Sequence, residues 1–421
     1  MKVNITKSLI YFILFYSFNT LFFVLLKEKV SAIFGITKEV ILVLMAISVF
    51  IINSSFVSKR ILILTIGLLV IIFSSLLLSV GNGMELFNYI YQFKVDAFYV
   101  FVFIVLCSYF KSYGSEELIK GILRLFVFFG IVNSIMAIYQ RLYFFDFLKI
   151  IGVEGVSADY IPALGKVDGL VLQTQGGLFR SIGTMSTPMA CAEFSLISLF
   201  IYLYRYYNHS VKHVLCVAMF LFSIYVTGYK TVYLTTIAVL FAFSSKKYSA
   251  ASYRISALII ILFGFLSVNT LYIYNIFKDI SPIYAEYSIK LRYDYVADIF
   301  SALSNNITNV TGGMFAFNGN YLEIIPGAVP LDSMYIYYLS NYGFIGLLLL
   351  FFMCMFLYIK SKNINIYVSG KNIPVGLFFF LFFSSNLFFN QPFINFPSGF
   401  HALFLFIIAI NQKKDDRQKY I

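Results

Sequence analysis

ILILTIGLLVIIFSSLLLSV, residues 61–80, runs for twenty positions without a charge. A helix of that length rises about 30 Å, the thickness of a bilayer's hydrocarbon core. This stretch therefore reads as a membrane-spanning helix, and the rest of the chain agrees with it. Of 421 residues, 60% are hydrophobic, 20% aromatic and only 12% charged, whereas soluble domains carry about 25% charge. With a mean hydropathy of +0.86, too little polar surface remains to cover a globule of this size. A soluble enzyme, a secreted disulfide scaffold and a disordered chain are excluded. The expected fold class is all-α, a polytopic membrane protein.

Further apolar runs extend the pattern on both sides. Spans are expected at about 8–26, 39–57, 61–80, 95–110, 121–140, 188–204, 214–229, 231–245, 255–274, 335–359, 373–389 and 398–411, twelve in all. Two connections are long, residues 141–187 and 275–334, and the whole of 1–421 is expected to form one integral membrane domain. Basic residues set the orientation, because short loops rich in Lys and Arg stay inside. With the N-terminus inside, 19 of the 31 Lys and Arg residues fall inside. Seven of the other 12 lie in the two long loops, where the rule is weak. Both termini are therefore expected inside and both long loops outside. Met1 to Lys7 leads into a run too long for a signal h-region, so no cleavable signal is expected. Trp is absent, which leaves the 33 Tyr residues as interfacial anchors.

Residues 214–245 make 32 positions, about 48 Å of helix, too long for one straight span. A hairpin keeps Lys246, Lys247 and Arg254 inside, and its outer turn is Thr227-Gly228-Tyr229-Lys230-Thr231. That turn is expected below the outer surface, where non-helical backbone needs protein or a wet cavity around it.

The same side holds the residues whose chemistry stands out. Arg180 precedes the helix start at Pro188, whose free N–H groups favour an anion. Glu193 lies one and a half turns into that span, and intramembrane carboxylates are functional hypotheses by default. Pairing with Lys230 is its bland alternative. In the second long loop, residues 288–305 read as an amphipathic helix. Arg292 falls on its apolar face with Val296, Ile299, Phe300 and Leu303, while Asp294 and Asp298 face away. A guanidinium there is placed to clamp phosphate, or else to snorkel. Asp332, at the mouth of the tenth span, is placed either to accept a proton from a bound hydroxyl or to cap a helix. His401 is a second-choice base. The four cysteines lie singly in apolar runs and read as core residues. His209 and His213 stand in an inside loop with no carboxylate nearby, and no metal-binding, P-loop or dinucleotide motif is present, so neither metal nor cofactor is expected. The basic excess anchors the chain to the lipid bilayer and does not point to nucleic acid.

In order along the chain, these elements resemble a family. Phe179-Arg180-Ser181-Ile182-Gly183-Thr184-Met185-Ser186-Thr187-Pro188 is similar to the R-S-x-G-T-F-x-x-P stretch of bacterial Wzy-type O-antigen polymerases. Thr227 to Thr231 resembles their T-G-S-R-T element, with Lys230 in place of Arg. Arg292 followed by Gly312-Gly313 resembles their R…G-x-G loop. Asp332-Ser333, Tyr335 and Gly343-Phe344-Ile345-Gly346 resemble their closing motif. Arg141 to Gly152 matches an Arg-x10-Gly spacing found in some members. No Trp follows Arg292, where members often have one, and no His stands near Asp332, where the related O-antigen ligases usually have one.

The resemblance implies a GT-C-like fold of about twelve spans in the bacterial inner membrane, with both long loops periplasmic. It implies polymerisation of undecaprenyl-pyrophosphate-linked glycans into O-antigen or a related polysaccharide, without metal or cofactor. Arg180, Lys230 and Arg292 are then expected to hold the pyrophosphate. Asp332 is the first choice of base and Glu193 the second. A chain-length regulator protein is a candidate partner. The competing readings are an O-antigen ligase and, in a different class, a flippase for lipid-linked oligosaccharides. The eight prolines lie in loops or near span ends, as at Pro188, Pro374 and Pro397, and no internal repeat is seen, which speaks against a transporter.

Overall fold

The computed structural model describes residues 2–31, 34, 36–52, 59–79, 86–152, 170, 172–175, 178–304, 333–393 and 396–412. The described residues are helical nearly throughout. The first half contains α1 (Lys2–Phe18), α2 (Thr20–Lys29), α3 (Thr37–Ile52), α4 (Lys59–Ser79), α5 (Leu86–Tyr113), α6 (Glu116–Leu142) and the short α7 (Phe144–Ile151). Strands β1 (Gln173–Gln175) and β2 (Leu178–Arg180) then pair antiparallel, with Gln173 opposite Arg180. Next come α8 (Pro188–Arg205), α9 (Val211–Thr227), α10 (Lys230–Ser244), α11 (Ser249–Asn269) and α12 (Leu271–Ile280). After α13 (Pro282–Tyr284), a π-helical turn at Ala285–Lys290 leads into α14 (Leu291–Ser304), where the amphipathic helix was expected. The last third is α15 (Met334–Lys360), a second small hairpin of β3 (Ile366–Val368) and β4 (Lys371–Ile373), then α16 (Val375–Asn386) and α17 (Phe400–Asn411).

Among the described residues, five helices are long and apolar enough to cross a membrane: α4, α5, α6, α11 and α15. A sixth span results if α1 and α2 are counted as one. The expected straight span at 8–26 is broken: α1 and α2 meet at Asn19 with a bend of 83°. The helices α9, α10, α16 and α17 are apolar but shorter. The exposed faces carry the hydrophobic load, as on Ile63, Leu64, Val70 and Phe352, which suits a lipid solvent rather than water.

Helix α8 occupies the centre. Residues 190–203 of it are buried without a break, and α6, α9 and α10 pack around it. Its apolar character is diluted by Glu193, Ser195 and Ser198, which a lipid-facing helix would carry at a cost. Here Ser195 meets the Ser223 hydroxyl at 3.0 Å and Ser198 donates to the carbonyl of Phe126 at 2.9 Å.

The expected hairpin at 214–245 is present. Tyr202 packs on Phe220, and Tyr204 on Phe243. The helices α9 and α10 thus both pack on α8. Gly228, in the left-handed conformation, ends α9. All four cysteines are free thiols, and Cys107 and Cys191 are buried.

Candidate functional site

At the turn between α9 and α10, two separately predicted segments meet. The Nε of Arg180 donates to the carbonyl of Thr227 at 2.8 Å, and its Nη1 donates to Oε1 of Gln173 at 2.9 Å. The guanidinium carbon lies 4.1 Å from the centre of the Tyr229 ring. One residue on, the Ser181 amide donates to the carbonyl of Val226 at 3.1 Å. Helix ends leave such carbonyls without intrahelical partners, so the 180–181 segment caps α9 while Arg180 stays partly exposed. Lys230, exposed, opens α10 on the same turn. Arg141, in the last turn of α6, donates to the carbonyl of Phe179 at 2.7 Å. Tyr233 donates to the carbonyl of Tyr225 at 2.6 Å and lies within the fields of both Arg180 and Arg141. Three cations and three tyrosines thus share one end of the bundle. A planar guanidinium beside an ammonium suits a phosphate-bearing anion.

Residues 181–187, which join Arg180 to α8, are irregular backbone threaded between helices, with a turn closed by the bond from the Met185 amide to the Ile182 carbonyl at 2.9 Å. The Oε1 of Gln140 accepts from the amides of Ile182 and Gly183, at 3.0 and 2.7 Å, and its Nε2 donates to the carbonyl of Gly183 at 2.8 Å. Asn133 Oδ1 accepts from the Thr184 amide at 2.9 Å, and its Nδ2 donates to Ser195 at 2.9 Å. The break between α1 and α2 is answered here too. The Thr184 hydroxyl donates to the carbonyl of Phe18 at 2.7 Å, and the Ser186 amide to Thr20 Oγ1 at 3.0 Å. Thr187 caps α8 by accepting from Ala190 at 3.1 Å. Buried irregular backbone persists only when its groups find such partners. Gly183 has φ +58°, and a Cβ there would meet Asn133 Oδ1 at 2.2 Å, so the segment requires glycine.

Glu193 is 1% exposed, and its Oε2 accepts from the amide of Gly399 at 3.1 Å. The alternative that paired it with Lys230 is set aside, since Lys230 sits exposed on the turn. Gly399 ends the connector between α16 and α17, and several candidates gather on that connector. Ser333, at the N-cap of α15, donates to the carbonyl of Leu387 at 3.1 Å, and Tyr335 offers its amide to the same atom. Arg292 is half-buried with its guanidinium 5.9 Å from the centre of the Phe389 ring, while Asp294 and Asp298 are exposed. Tyr99 donates to the carbonyl of Ser398 at 2.7 Å. Asp332 lies outside the described residues, although its neighbour Ser333 is docked on this connector. His401 is buried among Phe18, Phe194 and Phe400, and bonds Ser17 at 3.1 Å.

One half-buried carboxylate was not anticipated. Asp96 accepts from the hydroxyls of Tyr337, at 2.6 Å, and Tyr342, and Gln92 donates to Tyr337. Helix α15 breaks at Gly343, whose φ of +59° and ψ of −149° only glycine adopts readily. The freed carbonyl of Asn341 takes the hydroxyl of Ser75. A lone acid in the 28 residues of α5 was a readable signal. Beginning the span at 95 placed Asp96 at its edge and concealed it. Asn133 and Gln140, polar residues inside a span, were readable in the same way.

No protein-family model, no curated protein and no solved structure matches this chain.

Proposed function

We propose that this chain is a glycosyltransferase that polymerises undecaprenyl-pyrophosphate-linked repeat units into O-antigen or a related surface polysaccharide. The observation that carries the reading is the contact of Arg180 with Thr227 and Tyr229, beside Lys230. It places two sequence elements that resemble those of Wzy-type polymerases against each other at one end of an all-α membrane bundle.

In the proposed reaction, a hydroxyl of the acceptor sugar attacks the anomeric carbon of the donor glycan. The bond from that carbon to the pyrophosphate oxygen breaks, and the leaving group keeps the electron pair. Arg180, Lys230 and Arg292 stabilise its growing negative charge. The proton of the attacking hydroxyl passes to a carboxylate. Glu193 is sealed in the protein and engaged by Gly399, which favours Asp332 as the base. The reading extends to a GT-C-like bundle of twelve spans in the bacterial inner membrane, with both termini cytoplasmic and the site periplasmic. A chain-length regulator is the proposed protein partner, and no metal or cofactor is invoked.

Replacing Asp332 or Arg292 by Ala tests these assignments. Each variant is expected to reach the membrane at the wild-type level and to make no polymer. Polymer of wild-type length from either variant removes that residue from the mechanism.

A further inference from the structure

At the other end of α10 from Lys230, a cavity of about 430 Å³ opens between the start of α11 and the end of α15. Both helices pack on α16. Three cations line the cavity, Lys247, Arg254 and Lys362, together with Tyr248 and Tyr358. Positive-inside counting alone treats these cations as orientation signals, yet here they converge on one space.

Their neutralisation is the open question. No acidic residue occurs between Glu193 and Asp279, or between Asp332 and Asp415, so the segments that build the walls supply no carboxylate. Arg254 is half-buried, and its buried Nε has no hydrogen-bond partner among the described residues. Its guanidinium lies 5.1 Å from the Tyr358 ring centre, a contact that orients the group without neutralising it. The first turn of α11, at Ala250 and Ala251, also faces the cavity and brings the positive end of the helix dipole.

Beyond this cationic mouth the walls turn apolar and exposed. Ile255 and Leu258 line the cavity and are 57% and 47% exposed, and the adjoining lipid-side faces continue through Ile259 on α11 and Ile359 on α15. A soluble phosphate has no use for such a border. We infer that this cavity binds the headgroup of an anionic phospholipid, with the phosphate held by Lys247, Arg254 and Lys362 and the acyl chains lying on the exposed faces of α11 and α15. Basic pockets between spanning helices recognise lipid headgroups by this combination of charge and depth. The inference stands independently of the polymerase reading, since it rests on different residues at the opposite end of the bundle.

The test uses the purified full-length protein in mixed micelles with equal amounts of phosphatidylglycerol and phosphatidylcholine. Retained lipid is counted by native mass spectrometry. The wild type is expected to retain phosphatidylglycerol in preference, by on the order of tenfold or more for three cations near one phosphate. Replacing all three cations by Gln should bring that ratio to near parity. Lys360→Gln, close by but outside the cavity lining, should leave it unchanged. If the triple variant fails to fold, Arg254→Gln alone should lower the preference several-fold. Equal retention of both lipids by the wild type would overturn the inference, as would an unchanged ratio in Arg254→Gln and the triple variant. Displacement of the lipid by an equal concentration of soluble glycerol phosphate would assign the cavity to a free phosphate instead.

Discussion

Arg180 and Thr227 are joined by a 2.8 Å hydrogen bond from Nε to a helix-terminal carbonyl, which ties the end of the first long loop to the turn between α9 and α10. Charge-assisted bonds of this kind contribute about 1.5–3 kcal/mol, and the contact with the Tyr229 ring adds about 0.5–1 kcal/mol at a partly exposed site. Lysine keeps the charge but cannot serve Thr227 and Gln173 together through one planar fork. Arg180→Lys and Arg180→Ala are both expected to abolish the polymer ladder at unchanged membrane levels. A wild-type ladder from Arg180→Lys would show that charge alone suffices.

Asp96 is held by two tyrosine hydroxyls. Its truncation leaves both donors in an apolar interior, where each unsatisfied group costs about 1–3 kcal/mol. Asp96→Ala should therefore unfold at a clearly lower temperature in detergent than Asp96→Asn, which keeps an acceptor oxygen. Tyr342→Phe should fall between the wild type and Asp96→Ala. Equal melting temperatures for Asp96→Ala and the wild type would contradict the role given to this cluster.

Gly183 and Gly152 both have positive φ, +58° and +81°, but differ in their surroundings. A Cβ at Gly152 meets nothing within 4 Å, whereas one at Gly183 strikes Asn133 and Cys191. Gly152→Ala should lose about 1–2 kcal/mol for the backbone alone. Gly183→Ala adds a clash with packed neighbours, so it should lose considerably more and accumulate poorly in membranes. Equal losses would mean that the 181–187 segment is free to move.

These cases show how the sequence was legible and where it was not. Residues 61–80 declared a spanning helix because lipid demands an unbroken apolar run, and α4 follows that run closely. The hairpin at Thr227 to Lys230 was legible from length together with the basic residues Lys246, Lys247 and Arg254 that follow it. The apolar face chosen for Arg292 agrees with its contact to Phe389. The bend at Asn19 was not legible, because a break inside an apolar run is stabilised by distant groups, here Thr184 and Ser186. Nor was the connector at 387–399, where Glu193, Arg292 and Ser333 gather. Its hydrogen-bond partners are separated from it by as many as 299 positions, as Tyr99 is from Ser398, and no local pattern encodes that distance. Asp96 was overlooked for a simpler reason, a span begun at 95 where α5 begins at Leu86.

Glu193→Gln keeps an oxygen to accept from Gly399, whereas Glu193→Ala leaves that buried amide without it. The Gln variant is expected to accumulate normally and to polymerise, and the Ala variant to be less stable by about 1–3 kcal/mol. If Glu193→Gln is stable but makes no polymer, Glu193 replaces Asp332 as the proposed base.

The proposal that the chain is a polymerase is tested most directly by deleting its gene and resolving the lipopolysaccharide on a gel. The account predicts that the ladder collapses to core bearing a single repeat unit, and that the wild-type gene restores it. Bare core without any repeat would contradict it and point to a ligase or a flippase. An unchanged ladder would remove the chain from this polymer's assembly.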